Sequence, residues 1–216
     1  MYSLLLPYRV KICGITDLGQ AQAIARLGVS TLGFICVARS PRYIAIEPLT
    51  AITRQLPETL QTVGVFVNAP LDTIVATVHQ AKLTGIQLHG EEPPEFCQAL
   101  RQHLPQRELI KAFRIRAPAD LEQIAPYETV VETLLLDAYA PQAHGGTGQT
   151  LDWTSLAGFA PSRPWLLAGG LCPENLAQAL AIVGPDGIDV SSGVERSPGD
   201  KDLTRVAALL RQLRVN

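Results

Sequence analysis

The chain has 216 residues, 47% of them hydrophobic and 18% charged, with a formal net charge of -2; this is ample apolar material for one sizeable core and suits a single domain. So even a charge balance leaves no excess of basic side chains to neutralise a nucleic-acid backbone or an anionic membrane, and any anionic ligand is expected to be small and locally held. The four cysteines, Cys13, Cys36, Cys97 and Cys172, form no Cys-x-x-Cys pair and have no nearby histidine pair, so reduced thiols in a cytoplasmic protein are expected rather than a zinc site.

Residues 1–8 read as a short leader whose apolar run is too brief for a signal peptide, and no stretch approaches the ~20 apolar residues of a membrane span. From residue 9 onward, short β-branched or apolar runs alternate with longer amphipathic stretches. The predicted strands are residues 9–13, 31–36, 62–67, 85–89, 109–113, 133–137, 165–168 and 187–190. Each is followed by a stretch that can form a helix, the sixth, at residues 152–159, being short. Helix starts are signalled by Asp72 before Thr73, by Ala117-Pro118, and by Cys172-Pro173-Glu174 before Asn175. Such alternation implies βα units around a parallel sheet. An open, doubly wound sheet is the competing architecture. Eight units, no Gly-x-Gly-x-x-Gly turn after the first strand, and polar strand ends favour one closed (β/α)8 TIM barrel over residues 9–216.

Side chains two apart share a strand face, which groups Lys11 with Cys13, Gln87 with His89, Lys111 with Phe113, Leu135 with Asp137, and Asp189 with Ser191. Polar groups thus fall on one face in five strands, expected to be the barrel interior. A buried lysine needs a partner. Barrel closure would set Asp189 of strand eight beside Lys11 of strand one; the alternative is that Lys11 snorkels to solvent.

Four segments lie at the C-terminal ends of predicted strands, where barrel enzymes place their sites. They are Lys11-Ile12-Cys13-Gly14-Ile15-Thr16, Gln87-Leu88-His89-Gly90-Glu91-Glu92, Leu135-Leu136-Asp137 with the later Gly145-Gly146-Thr147-Gly148, and Asp189-Val190-Ser191-Ser192-Gly193-Val194-Glu195. Singly each is weak; their order and spacing together are specific. At these residues, and from about Val10 to the C-terminus, the chain resembles the phosphoribosylanthranilate isomerase family of tryptophan biosynthesis.

The resemblance implies a cofactor-free enzyme that converts N-(5-phosphoribosyl)anthranilate into 1-(2-carboxyphenylamino)-1-deoxyribulose 5-phosphate by an Amadori rearrangement. An acid protonates the furanose ring oxygen, opening the ring to a Schiff base, and a base removes the C2 proton to give an enolamine. Cys13 matches the family's base and Asp137 its acid. The base role needs a thiolate favoured by the site or a proton drawn off during reaction, since a free thiol titrates near about 8.5. The acid role needs surroundings that favour a protonated carboxyl, which Leu134-Leu135-Leu136 could supply. Arg42 matches the arginine that meets the anthranilate part of the substrate, although Arg39 nearby could be confused with it. The preceding Phe34-Ile35-Cys36-Val37 departs from the family's commoner aromatic-rich version.

A phosphate site is expected at Gly169, Gly170, Ser191, Ser192 and Gly193, with Asp189 also near the substrate, because glycine-rich loops bring backbone N–H groups close to an anion. Gly146 and its neighbours are expected to close over the substrate as a mobile loop. His89 falls in the pocket by parity but is given no catalytic role, and His79, His103 and His144 carry no legible signal. No metal or cofactor is expected, and the expected partner is a small phosphosugar substrate, not nucleic acid or membrane, with the chain a monomer or weak homodimer. The rival readings are the related barrel isomerase of histidine biosynthesis, which carries an aspartate at the position of Cys13, and a non-catalytic barrel that binds phosphometabolites.

Overall fold

The computed structural model describes residues 8–138 and 153–214. Residues 1–7 of the leader, and the glycine-rich segment with Gly146, lie outside the described residues. Eight parallel strands, β1 (Arg9–Cys13), β2 (Thr31–Ile35), β3 (Gln61–Phe66), β4 (Gly85–Leu88), β5 (Glu108–Ile115), β6 (Thr133–Ala138), β7 (Trp165–Ala168) and β8 (Gly187–Val190), form a closed barrel in sequence order. Closure is made by β1 against β8, with Lys11 in register with Asp189.

Alternation along each strand splits the core into two layers. Val10 and Ile12, Leu134 and Leu136, Trp165 and Leu167, and Ile188 and Val190 face outward into the layer between strands and helices. Val63, Ile110, Ala112, Leu135, Leu166 and Ala168 form a separate apolar cluster inside the barrel. At its N-terminal end the interior is polar: Arg9 donates through Nη1 and Nη2 to the two carboxylate oxygens of Glu108, and Thr133 Oγ1 donates to the same carboxylate at 2.6 Å. The paired fork satisfies charges that the barrel would otherwise bury alone.

The helices α1 (Leu18–Arg26), α2 (Ile46–Thr53), α3 (Leu71–Gln80), α4 (Pro94–His103), α5 (Leu176–Ile182) and α6 (Leu203–Arg214) pack around the barrel. Helix α3 starts after Pro70, so Asp72 lies in its first turn, where a carboxylate meets the positive end of the helix dipole, rather than at the cap. The fifth unit carries two short 3-10 turns, Pro118–Gln123 and Ala125–Tyr127, where a helix was expected. Asp120 caps the start of the first turn, its carboxylate accepting from the N–H groups of Arg116 and Ala117, while Pro126 has no N–H with which an α-helix could continue through the second. After β6, Trp153–Leu156 is likewise a single 3-10 turn. Beyond β8, β9 (Glu195–Ser197) and β10 (Asp200–Lys201) form a small antiparallel hairpin.

One parity expectation is inverted. Ile110 and Ala112 are the inward residues of β5, so Lys111 and Phe113 point outward. Lys111 is buried there, donating to Gly90 O at 2.7 Å and to Glu92 Oε2 at 3.0 Å, with the rings of Phe113 and Tyr127 5.7 and 5.8 Å from its ammonium. A fully paired lysine beside two aromatic faces is stable in the strand–helix layer, and its charge gave no sign of which side it would take.

Candidate active site

The inward residues of seven strands converge at the C-terminal mouth of the barrel on a cavity of about 240 Å³. Cys13, Asp137, Arg42 and His89 line it, and Gly169, Gly170, Leu171, Ser191 and Ser192 line the end toward β7 and β8. Asp189 and Gln87 complete its floor. Ile35, Val65, Ala168 and Leu171 give the wall apolar surface between the groups that donate or accept protons, which suits a small ligand with both polar and apolar parts.

Cys13 ends β1 and is buried. Opposite it on β2 stands Gly33, where a Cβ would lie 2.7 Å from Cys13 Sγ and 3.0 Å from Lys11 Nζ. The missing side chain therefore makes room for both groups. Lys11 is fully buried and donates to Asp189 Oδ1 at 2.9 Å, so the proposed closure pair forms and the snorkelling alternative is excluded. Burial pushes the Cys13 thiol up, with Asp189 adding to the effect, while the ammonium groups of Lys11 and Lys201 pull it down without cancelling it. The resting sulfur is thus predominantly a thiol, and its use as a base calls for the proton to leave during the reaction.

Asp137 ends the inward face of β6, across the mouth from Cys13. Leu135, its inward neighbour, is buried in the barrel core, but the carboxyl itself is partly exposed. His89 Nε2 lies 3.3 Å from Asp137 Oδ2, and His89 Nδ1 lies 3.0 Å from Gln87 Nε2. With the Gln87 amide donating to Nδ1, the ring proton falls on Nε2 and points at Asp137. His89 is therefore tied to the proposed acid, a connection that strand parity hinted at and that only the meeting of β4 and β6 across the mouth reveals. The Oε1 of Gln87 is buried without a hydrogen-bond partner among the described residues.

Arg42 reaches the cavity from the loop after β2, whereas Arg39 lines a neighbouring hollow of about 450 Å³ together with Arg114 and Arg116. That hollow shares His89 with the smaller cavity but contains neither Cys13 nor Asp137, so its size does not make it the reaction site. Gly14, at φ 80, has a backbone few other residues adopt, and a Cβ there would meet Arg42 Cδ at 2.7 Å.

At the far end, Gly169 and Gly170 take φ values of 94 and 64, turning the chain after β7 so that it faces the loop after β8. The main-chain N–H groups of Gly170, Leu171 and Ser192 donate to no partner among the described residues. Exposed donors from two glycine-containing loops make a concavity suited to an anion. Ser191 is drawn back, its Oγ donating to Cys13 O at 3.0 Å. Gly193 stands behind the wall, where a Cβ would come within 1.8 Å of Leu171 O; it lets the two loops touch and does not itself line the cavity.

Residues 10–212 match the family model described as N-(5'phosphoribosyl)anthranilate (PRA) isomerase. The N-(5'-phosphoribosyl)anthranilate isomerase of Acaryochloris marina is 56% identical over 211 residues, covering 95% of this chain and 97% of that protein. Among solved structures, phosphoribosyl anthranilate isomerase from Thermotoga maritima superposes with a TM-score of 0.88 at 37% identity, covering 97% of this chain and 100% of that one. A phosphoribosyl anthranilate isomerase in complex with reduced 1-(o-carboxyphenylamino)-1-deoxyribulose 5-phosphate superposes with a TM-score of 0.82 at 33% identity, covering 97% and 100% of the two chains. A near full-length family match and a relative this similar, on a barrel whose mouth gathers a thiol, a carboxyl, an arginine and an anion cradle, place the chain in the N-(5'-phosphoribosyl)anthranilate isomerase family of tryptophan biosynthesis.

Proposed function

We propose that the chain isomerises N-(5'-phosphoribosyl)anthranilate with Cys13 as base and Asp137 as acid. The observation that carries this assignment is that both groups line one small cavity from opposite strands, with anion donors at one end and an arginine at its rim. The phosphate rests on the N–H groups of Gly170, Leu171 and Ser192, and the anthranilate carboxylate meets Arg42. That places the ribose between the two ends, its ring oxygen toward Asp137 and its C2 toward Cys13. Proton transfer from Asp137 to the ring oxygen breaks the C1–O bond as the anilino nitrogen forms the Schiff base. Cys13, its own proton given up to water beforehand, takes the C2 proton as a thiolate and returns to the thiol, leaving an enolamine that tautomerises to the ketone. His89 holds one oxygen of Asp137 and leaves the other for the substrate. Lys11 faces the sulfur and favours the thiolate that this transfer requires.

Cys13→Ser and Asp137→Asn should each lower kcat by ~10² to 10⁴ with little change in KM, the usual worth of general acid or base help. Steady-state fluorescence assays on substrate generated in place measure this. Near-normal kcat in Asp137→Asn would falsify the acid assignment. Turnover of the histidine-pathway analogue in place of this substrate would favour the rival isomerase.

The only large hydrophobic side chains exposed among the described residues are Tyr43 and Leu203. With so little apolar surface to bury, we expect a monomer or weak homodimer, to be checked by light scattering across a concentration series. No helix of the described residues is long and apolar enough to cross a membrane.

A further inference from the structure

Arg42 is gripped from behind. Its Nε donates to Glu195 Oε1 at 2.9 Å and Oε2 at 3.0 Å, and its Nη2 donates to Oε2 at 2.6 Å. Glu195 is almost wholly buried, and its Oε1 also accepts from Lys201 Nζ at 2.6 Å and from the Gly199 N–H at 3.2 Å. Lys201 is fully buried. One carboxylate thus stands between two cations, and both its oxygens are occupied.

The hairpin that carries Glu195 and Lys201 is itself tied to the first βα unit. Thr16 Oγ1 donates to Gly199 O at 2.8 Å, while Gln20 donates to Asp200 Oδ1 at 2.6 Å and accepts from the Lys201 N–H at 2.8 Å. The grip on Arg42 is therefore anchored to the same loop region that follows Cys13. A guanidinium has two edges capable of paired donation. Glu195 occupies the Nε edge. Nη1 has no hydrogen-bond partner among the described residues, and Arg42 lines the cavity.

We infer that Glu195, held by Lys201, is a positioning residue for substrate recognition: it takes up one edge of Arg42 and so aims the other edge at the ring carboxylate of the substrate. A carboxylate-free ring would gain nothing from this arrangement, so the pair sets specificity for a 2-carboxyanilino group over a plain anilino group. The inference rests on the reading of Arg42 as the carboxylate partner. A buried glutamate bonded to three residues is more than an arginine needs merely to stay folded at a surface loop, and its effect is to remove the rotational freedom of the guanidinium before substrate arrives.

The test uses two probes, reduced 1-(2-carboxyphenylamino)-1-deoxyribulose 5-phosphate and its counterpart without the ring carboxylate, with binding measured by calorimetry on the full chain. In Glu195→Gln the preference for the carboxylated probe should fall roughly tenfold, the scale of one misaligned charge-assisted hydrogen bond, while the plain probe binds nearly as before. KM should rise more than kcat falls. Glu195→Asp, which keeps the charge beside Lys201 but shortens the reach, should show the same loss of preference, and it serves if the glutamine variant does not fold. In an Arg42→Ala background neither change should affect the preference further. If Arg42→Ala loses the preference and both Glu195 variants keep it, the inference is overturned alone. Equal weakening of both probes in the Glu195 variants overturns it too, because that is the mark of general disturbance. If Arg42→Ala keeps the preference, the reading of Arg42 fails first and the inference with it.

Discussion

At Cys13 the physics pulls in two directions: burial holds the proton on sulfur while Lys11 and Lys201 favour its loss, and the net direction is upward. Alkylation of the free protein by iodoacetamide should therefore be slow near neutrality at this residue and keep accelerating as pH rises past about 8.5, the value of an ordinary thiol. Peptide mass spectrometry would follow the rate; a plateau below pH 8 would show that the resting site already holds a thiolate. Lys11 offers a second check. Lys11→Met leaves Asp189 buried without its cation, which should cost roughly 3–5 kcal/mol in denaturant unfolding. The identity of these residues could be read along one strand, since alternation alone put Lys11 and Cys13 on a common face. The His89 to Asp137 connection could not, because it joins residues 48 positions apart in the chain whose approach depends on how the barrel closes. The grip of Glu195 on Arg42 was equally hidden, spanning |i−j| of 153.

Among the elements, the strands follow the sequence reading within one residue at each end, except that β5 runs two residues further, to Ile115. Strands are legible because each is a short apolar run bounded by turn residues. The helices were harder to read: after β5 and β6 the polypeptide makes 3-10 turns, and Pro126 in the second of the turns after β5 has no N–H with which to continue an α-helix. The inversion of Lys111 has the same root, since polarity does not reveal a side when the outer layer supplies Glu92 and two aromatic rings. The loops after β7 and β8 carry a sharper expectation. Gly193→Ala would drive a methyl into Leu171 O, whereas Gly170 faces open space and requires glycine only for its φ of 64. Gly193→Ala should thus push the two loops apart and weaken inorganic phosphate binding, seen by calorimetry, more than Gly170→Ala does. The reverse order would mean that the two loops do not act together on the anion.

For the molecule as a whole, acid should be the vulnerable side. Burial alone would raise Glu92, Glu108 and Glu195, but Lys111 and the Asn68 N–H around the first, Arg9 and Thr133 around the second, and Arg42 with Lys201 around the third hold all three below the usual carboxylate range. A carboxylate whose folded pKa is depressed stabilises the fold above its unfolded value, near about 4.3, and loses that contribution as pH falls toward the folded value. Melting temperature should therefore drop steeply below about pH 4.3, and Glu108→Gln should flatten part of that slope in calorimetric scans. A constant melting temperature down to pH 3 would contradict the account. The seam between first and last strands has one more outcome, and it concerns time. Lys11 and its counter-ion are separated by |i−j| of 178, so during synthesis the ammonium waits without Asp189 until nearly the whole chain has left the ribosome. Ser191, which anchors to the Cys13 carbonyl, arrives equally late. Closing the barrel and assembling the catalytic mouth are then a single event, and no shorter nascent chain can carry partial activity; in refolding, turnover should return only with the slowest phase that docks β8 on β1.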